Sequence, residues 1–62
     1  MKTYENIIKG IRYWYFYDYH IKRWTVLKID ESDYQLGNAE YYANKQSLIN
    51  AHKEFNFKIC VN

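Results

Sequence analysis

The sequence predicts an α+β fold: a small antiparallel sheet of three to four strands with one main helix packed on one face, in the order (α)βββαβ. Three observations carry this expectation. Ile11 to Asp18 is dense in aromatic and β-favouring residues, which suit a pleated, half-buried surface. A second run of that kind, Arg23 to Asp30, follows after a short polar break. Nearer the C-terminus, Leu48, Ala51, His52 and Phe55 fall on one face at helical spacing. Sixty-two residues make a single domain spanning positions 1–62.

The elements follow in chain order. Thr3 to Lys9 reads as a short helix, with Tyr4, Ile7 and Ile8 on one side and Gly10 as its left-handed cap. Two turns are marginal for a helix, and an edge strand is the alternative. Ile11 to Asp18 is the clearest strand, and Asp18 to Lys22 turns the chain without the Asn-Gly signature of a tight hairpin. After the strand Arg23 to Asp30, the polar run Asp30 to Asp33 makes the next turn. Tyr34 to Tyr42 is a third strand with an irregularity at Gly37-Asn38. Asn44 caps the main helix, Asn44 to Phe55, although a start at Asn38 would also fit. Phe57, Ile59 and Val61 alternate with polar residues, so Asn56 to Val61 is a short fourth strand.

Strand alternation divides the hairpin into two faces. Tyr13, Tyr15 and Tyr17 point one way, and Arg12, Trp14 and Phe16 the other. The most economical arrangement puts Trp14, Phe16, Leu27 and Ile29 under the helix, against Leu48 and Phe55. The tyrosine row then faces outward beside Trp24 and Val26. Tyrosine suits that position, because its ring is apolar and its hydroxyl is content in water. Such a face needs a cover: the N-terminal segment, a second copy of the chain, or a partner.

Composition narrows the function classes. Eight Tyr, two Trp and three Phe are more rings than so small a core readily buries. Cys60 is the single cysteine, so no intrachain disulfide forms, and the chain has no metal-ligand spacing. No metal or cofactor is expected. A lone cysteine, no apparent signal sequence and no run of roughly 18 apolar residues suggest a cytoplasmic protein without a membrane span. Residues with AT-rich codons dominate and proline is absent, which suggests a low-GC bacterium or one of its phages or plasmids.

No catalytic constellation stands out. His20 lies in a polar turn beside Tyr19 and Lys22, and acid–base chemistry there would need a second group that no spacing supplies. His52 reads as a hydrogen-bonded histidine at the edge of the core, and Cys60 as a small packing residue. Asp30, Glu31 and Asp33 lack the alternating ligands and the glycine of a calcium loop. Two glycines, Gly10 and Gly37, cannot make a phosphate-binding loop. The expectation is a protein that binds and is not an enzyme.

Basic residues interleave with the aromatics, and a net charge of +2 is too small for a strong electrostatic claim. Three strands followed by a helix entered through Tyr41-Tyr42-Ala43-Asn44-Lys45 resemble, in topology, the AP2-type and integrase arm-binding DNA-binding domains. The resemblance covers about Arg12 to Phe55, through Leu36-Gly37 and the Lys45-x-x-Leu48 spacing, and implies a sheet laid in the major groove. Tyrosine largely replaces the basic face of those domains, so membership is not adopted. The expected partner surface is Tyr13, Tyr15, Tyr17 and Trp24 with Arg12, Lys22, Arg23 and Lys28. Its expected partner is a host protein that a phage-borne inhibitor would modulate, for example a defence nuclease such as a CRISPR effector. DNA or RNA is the alternative ligand, and a homodimer is a further arrangement.

Overall fold

The computed structural model describes residues 2–61. Four strands, β1 (Tyr4–Ile8), β2 (Ile11–Asp18), β3 (Arg23–Ile29) and β4 (Gln35–Tyr42), precede one helix, α1 (Lys45–Ala51). They form one antiparallel sheet in the order β1-β2-β3-β4, so each strand pairs with its neighbours in sequence. The antiparallel sheet and single helix match the expected class. The element order does not, because it runs ββββα.

The N-terminal segment is a strand. Ile8 pairs with Ile11 across a two-residue turn in which Lys9 and Gly10 adopt φ of 52° and 79°. Positive φ at both central residues is the type I′ geometry that matches the twist of a hairpin. Gly10 therefore closes a hairpin and does not cap a helix. In pairing with β2, the segment satisfies backbone groups that an isolated short helix could hold only marginally. Tyr4 and Ile8 share the core face, whereas Ile7 lies on the opposite face and is 63% exposed.

The bulge expected at Gly37-Asn38 is present. Val26 pairs with Glu40 and Lys28 with Leu36, so Gly37, Asn38 and Ala39 lie opposite Leu27 alone. Gly37 supplies the positive φ, 70°, that this detour requires. The β3–β4 loop is built on Asp30, whose carboxylate accepts the N–H groups of Ser32 (2.8 Å) and Tyr34 (3.0 Å).

Asn44 caps α1, its side chain accepting the Ser47 N–H at 2.8 Å. The helix is shorter than expected and stops at Ala51. His52 donates its N–H to Leu48, and Phe55 lies beyond the helix. The expected fourth strand, Asn56 to Val61, is reduced to a single antiparallel bridge between Tyr4 and Cys60. Two backbone bonds, Glu5 N–H to Ile59 O and Val61 N–H to Thr3 O, both 2.9 Å, fasten this segment to the free edge of β1.

The packing face is the reverse of the expected one. Tyr15 and Leu48 are 0% exposed and form the core with Val26 and Phe55. Tyr4, Ile8, Tyr13, Trp24, Tyr42, Ile49 and Phe57 pack around them. The tyrosine row thus turns inward, and Trp14, Phe16 and Leu27 take the other side. The stretch after α1 decides this, because it crosses the tyrosine face and carries Phe55 and Phe57 onto it. Phe55 is sandwiched between Tyr15 (4.2 Å, 7°) and His52 (4.4 Å, 6°), and Phe57 meets Tyr15 edge-on. The Tyr15 hydroxyl donates to the Asn56 carbonyl, so the polar end of a buried ring is satisfied.

Candidate functional site

Cross-strand pairing fixes the composition of the outer face. Glu5 stands opposite Trp14, Trp14 opposite Leu27, Arg12 opposite Ile29, and Phe16 opposite Thr25, which also faces Tyr41. Ile7 and the 58%-exposed Tyr41 extend the apolar area to either side. The core cluster, α1 and the Phe55–Phe57 stretch all lie on the other side of the sheet.

Trp14 is held in place on this face. Its indole Nε1–H donates to Glu5 Oε2 at 2.8 Å, and the Arg12 guanidinium lies 5.5 Å from the ring centre. Arg12 also reaches Glu5 (3.8 Å), Asp33 (2.6 Å) and the Asp30 carbonyl. A shallow hollow beside the indole is lined by Thr3, Glu5, Arg12, Trp14, Phe16, Asp33 and Val61. Thr25 Oγ1 is buried between its large neighbours without a hydrogen-bond partner.

On the inner side, one polar cluster joins α1 to β4. His52 Nε2 lies 2.7 Å from Glu40 Oε1, and the Tyr42 hydroxyl lies 3.0 Å from the same oxygen and 3.2 Å from Nε2. The shortest contact assigns the Nε2 proton to Glu40, with the tyrosine donating as well. The His52 hydrogen bond holds the Glu40 carboxyl below its ordinary value, against some desolvation and with help from Tyr42. Tyr42 moves upward, through desolvation first and then the adjacent carboxylate. With one face of its ring stacked on Phe55 and its nitrogen on Glu40, His52 acts as a clasp. This is the hydrogen-bonded boundary histidine that the sequence suggests.

The expected partner-binding residues are dispersed. Tyr15 is wholly buried, and Tyr13 is half-buried against Phe55 and His52. Arg12 is on the outer face, tied to carboxylates. Lys28 is exposed opposite Tyr13. Tyr17, Trp24, Lys22 and Arg23 gather at the end of the β2–β3 hairpin, where Tyr17 pairs with Trp24. His20 lies in the same turn, its backbone N–H donated to the Asp18 carboxylate at 2.9 Å. Cys60 is exposed opposite Tyr4, and so is not the packing residue expected of it.

Sequence reasoning missed the exposed Ile7 and Tyr41, the half-buried Trp14 and Phe16 on the same outer face, and also the exposed Tyr19. The cross-strand pair Glu5–Trp14 could have marked Trp14, but only with β1 read as a strand. Among the described residues, no group of three or more metal-ligating side chains occurs, and no helix is long and apolar enough to cross a membrane.

Comparison with known protein families, with curated proteins and with solved structures finds no match. The residues alone therefore carry the functional reading.

Proposed function

We propose that this chain is a non-enzymatic binding module that recognises a protein partner through the outer face of its sheet, centred on Trp14. One observation carries the reading: Trp14 is fixed by Glu5 and Arg12 on an apolar face over which α1 and the core aromatics do not pack. A ring already held in one orientation loses little freedom on binding, and tryptophan is among the residues most enriched at energetic centres of interfaces.

Charge favours protein over nucleic acid on this face. Glu5 and Asp33 answer Arg12, so the surroundings of the indole carry no free excess of cations for phosphates. A standard interface takes roughly 800 Å² from each partner, roughly a sixth of this chain's 4547 Å². The narrower expectation of a phage-borne inhibitor of a host nuclease rests on composition alone.

Site-specific photocrosslinking tests the proposal. A benzophenone amino acid replacing Leu27 or Tyr41 is expected to give one discrete protein adduct in cells, and the same group replacing Gln46 on α1 to give none. Equal adducts from all three positions, or none from the sheet face, would refute the reading. Light scattering on the purified chain separates a second copy from a different partner.

A further inference from the structure

On the inner face, at the end of the sheet that carries the β2–β3 turn, four aromatic residues wall a cleft of about 340 Å³. Tyr4, Tyr17, Tyr19 and Trp24 line it, with Lys2 at its edge. The volume is at the lower end of the roughly 300–1,000 Å³ typical of small-ligand sites, enough for one planar group and its substituents. Tyr19 is 71% exposed although its ring packs edge-on against Tyr17 at 4.9 Å.

The way these rings meet differs from the core. Inside, Tyr15 and His52 lie parallel to Phe55, so the flat faces are used by the chain itself. At the cleft, Tyr17 meets Tyr19 at 76° and Trp24 at 67°, and Trp24 meets Phe57 at 79°. None of these contacts is a parallel stack. Tyr4, the fourth ring of the wall, stacks on Tyr15 at 24°, so the ring left open to a planar guest is the exposed Tyr19, with the half-buried Trp24 beside it.

Charge supplies the second observation. Lys2 lines the cleft, and Lys22 sits on the turn that closes the Tyr17–Trp24 pair, whereas Arg23 opens β3 opposite Asp18 and alternates to the other face. Lys45 Nζ lies 4.2 Å from the Phe57 ring centre, one ring away from Trp24. Asp18 is the carboxylate on this turn, and it accepts the His20 N–H. The acidic residues Asp30, Glu31 and Asp33 lie in the β3–β4 loop, at the opposite end of β3. A guest with a flat ring and an anionic backbone fits both features.

We infer that this cleft binds single-stranded nucleic acid, stacking a base on Tyr19 and Trp24 while Lys2 and Lys22 hold the neighbouring phosphates. Stacking on aromatic rings beside a cationic track is the general way proteins grip single strands without reading their sequence. The inference stands apart from the outer-face reading, and either can fail alone.

An NMR titration of the full chain with an eight-nucleotide oligothymidylate at low salt tests it. Trp14 and Trp24 give separate indole N–H signals. The Trp24 signal is expected to move on titration and the Trp14 signal to stay. Tyr19→Ala, at an exposed position whose folding the same spectra verify, is expected to weaken binding roughly 5- to 150-fold, as loss of one stacked base implies. Affinity should fall with salt at a logarithmic slope of about −1.4, the value for two phosphates on a single strand. No movement of Trp24 up to millimolar oligonucleotide would overturn the inference. So would equal binding of poly-glutamate, which has charge but no bases, or binding indifferent to Tyr19→Ala.

Discussion

At the scale of the residue, Tyr15 organises the core. Burial raises its pKa above the ordinary 10.0, despite hydrogen bonds from Asn6 and to the Asn56 carbonyl. Tyr15→Phe keeps the ring and removes the hydroxyl, so a loss of about 1 kcal/mol is expected in urea unfolding. Thr25→Val should act in the opposite direction. It replaces a buried hydroxyl that has no partner, and a gain on the order of 1 kcal/mol is expected in the same assay. A loss on that substitution would show that the hydroxyl has a partner after all.

Glu40, Tyr42 and Tyr15 also set the pH dependence of stability. The folded-state pKa of Glu40 is depressed, so its contribution is present above the ordinary value of 4.5 and is lost as pH falls through the folded value. Tyr15 and Tyr42 have raised values, so their contribution is intact below 10.0 and disappears as pH rises through the folded values. Thermal denaturation across pH should therefore show a plateau bounded by an acid limb and an alkaline limb. Glu40→Gln should flatten the acid limb and, by removing the carboxylate beside Tyr42, soften the alkaline loss without abolishing it, since burial still raises Tyr15 and Tyr42.

At the scale of the element, the β1–β2 turn and the α1 cap are the most exposed to single substitutions. Gly10 has open space where a Cβ would go, so Gly10→Ala costs only the left-handed backbone penalty, about 1–2 kcal/mol. Lys9→Asn should stabilise by a few tenths of a kcal/mol, because Asn-Gly is the preferred pair for this turn. Asn44→Ala removes the acceptor for the Ser47 N–H and should cost about 1 kcal/mol. Chemical denaturation checks the ranking: Lys9→Asn above the unsubstituted chain, with Asn44→Ala and Gly10→Ala both below it.

At the scale of the whole molecule, two strongly buried side chains and a three-ring stack carry much of a small core. Domains of this length have a stability of roughly 3–9 kcal/mol. Phe55→Ala removes the ring sandwiched between Tyr15 and His52, a change that typically costs about 3–5 kcal/mol. The variant is expected to lose much of its near-ultraviolet circular dichroism at physiological temperature. Retention of a native spectrum would mean that the stack contributes far less than its burial implies.

The β2 and β3 strands, the bulge at Gly37-Asn38 and the Asn44 cap were all legible, because each depends on residues close in sequence. So was the chemical contrast between the tyrosine row and the Trp14–Phe16 row. The first strand was obscured because Tyr4, Ile7 and Ile8 fit a helical stripe, while Lys9-Gly10 is an uncommon spelling of a hairpin turn. Local pattern alone established that the β2–β3 hairpin has two apolar faces. Which of them lies inside was settled only by the folded chain. A period-two pattern is symmetric between faces, and the asymmetry comes from the Asn56 carbonyl, 41 residues beyond Tyr15, and from Phe55 and Phe57 beside it. That distant contact gives the tyrosine hydroxyl a buried partner and leaves Trp14 on the outer face.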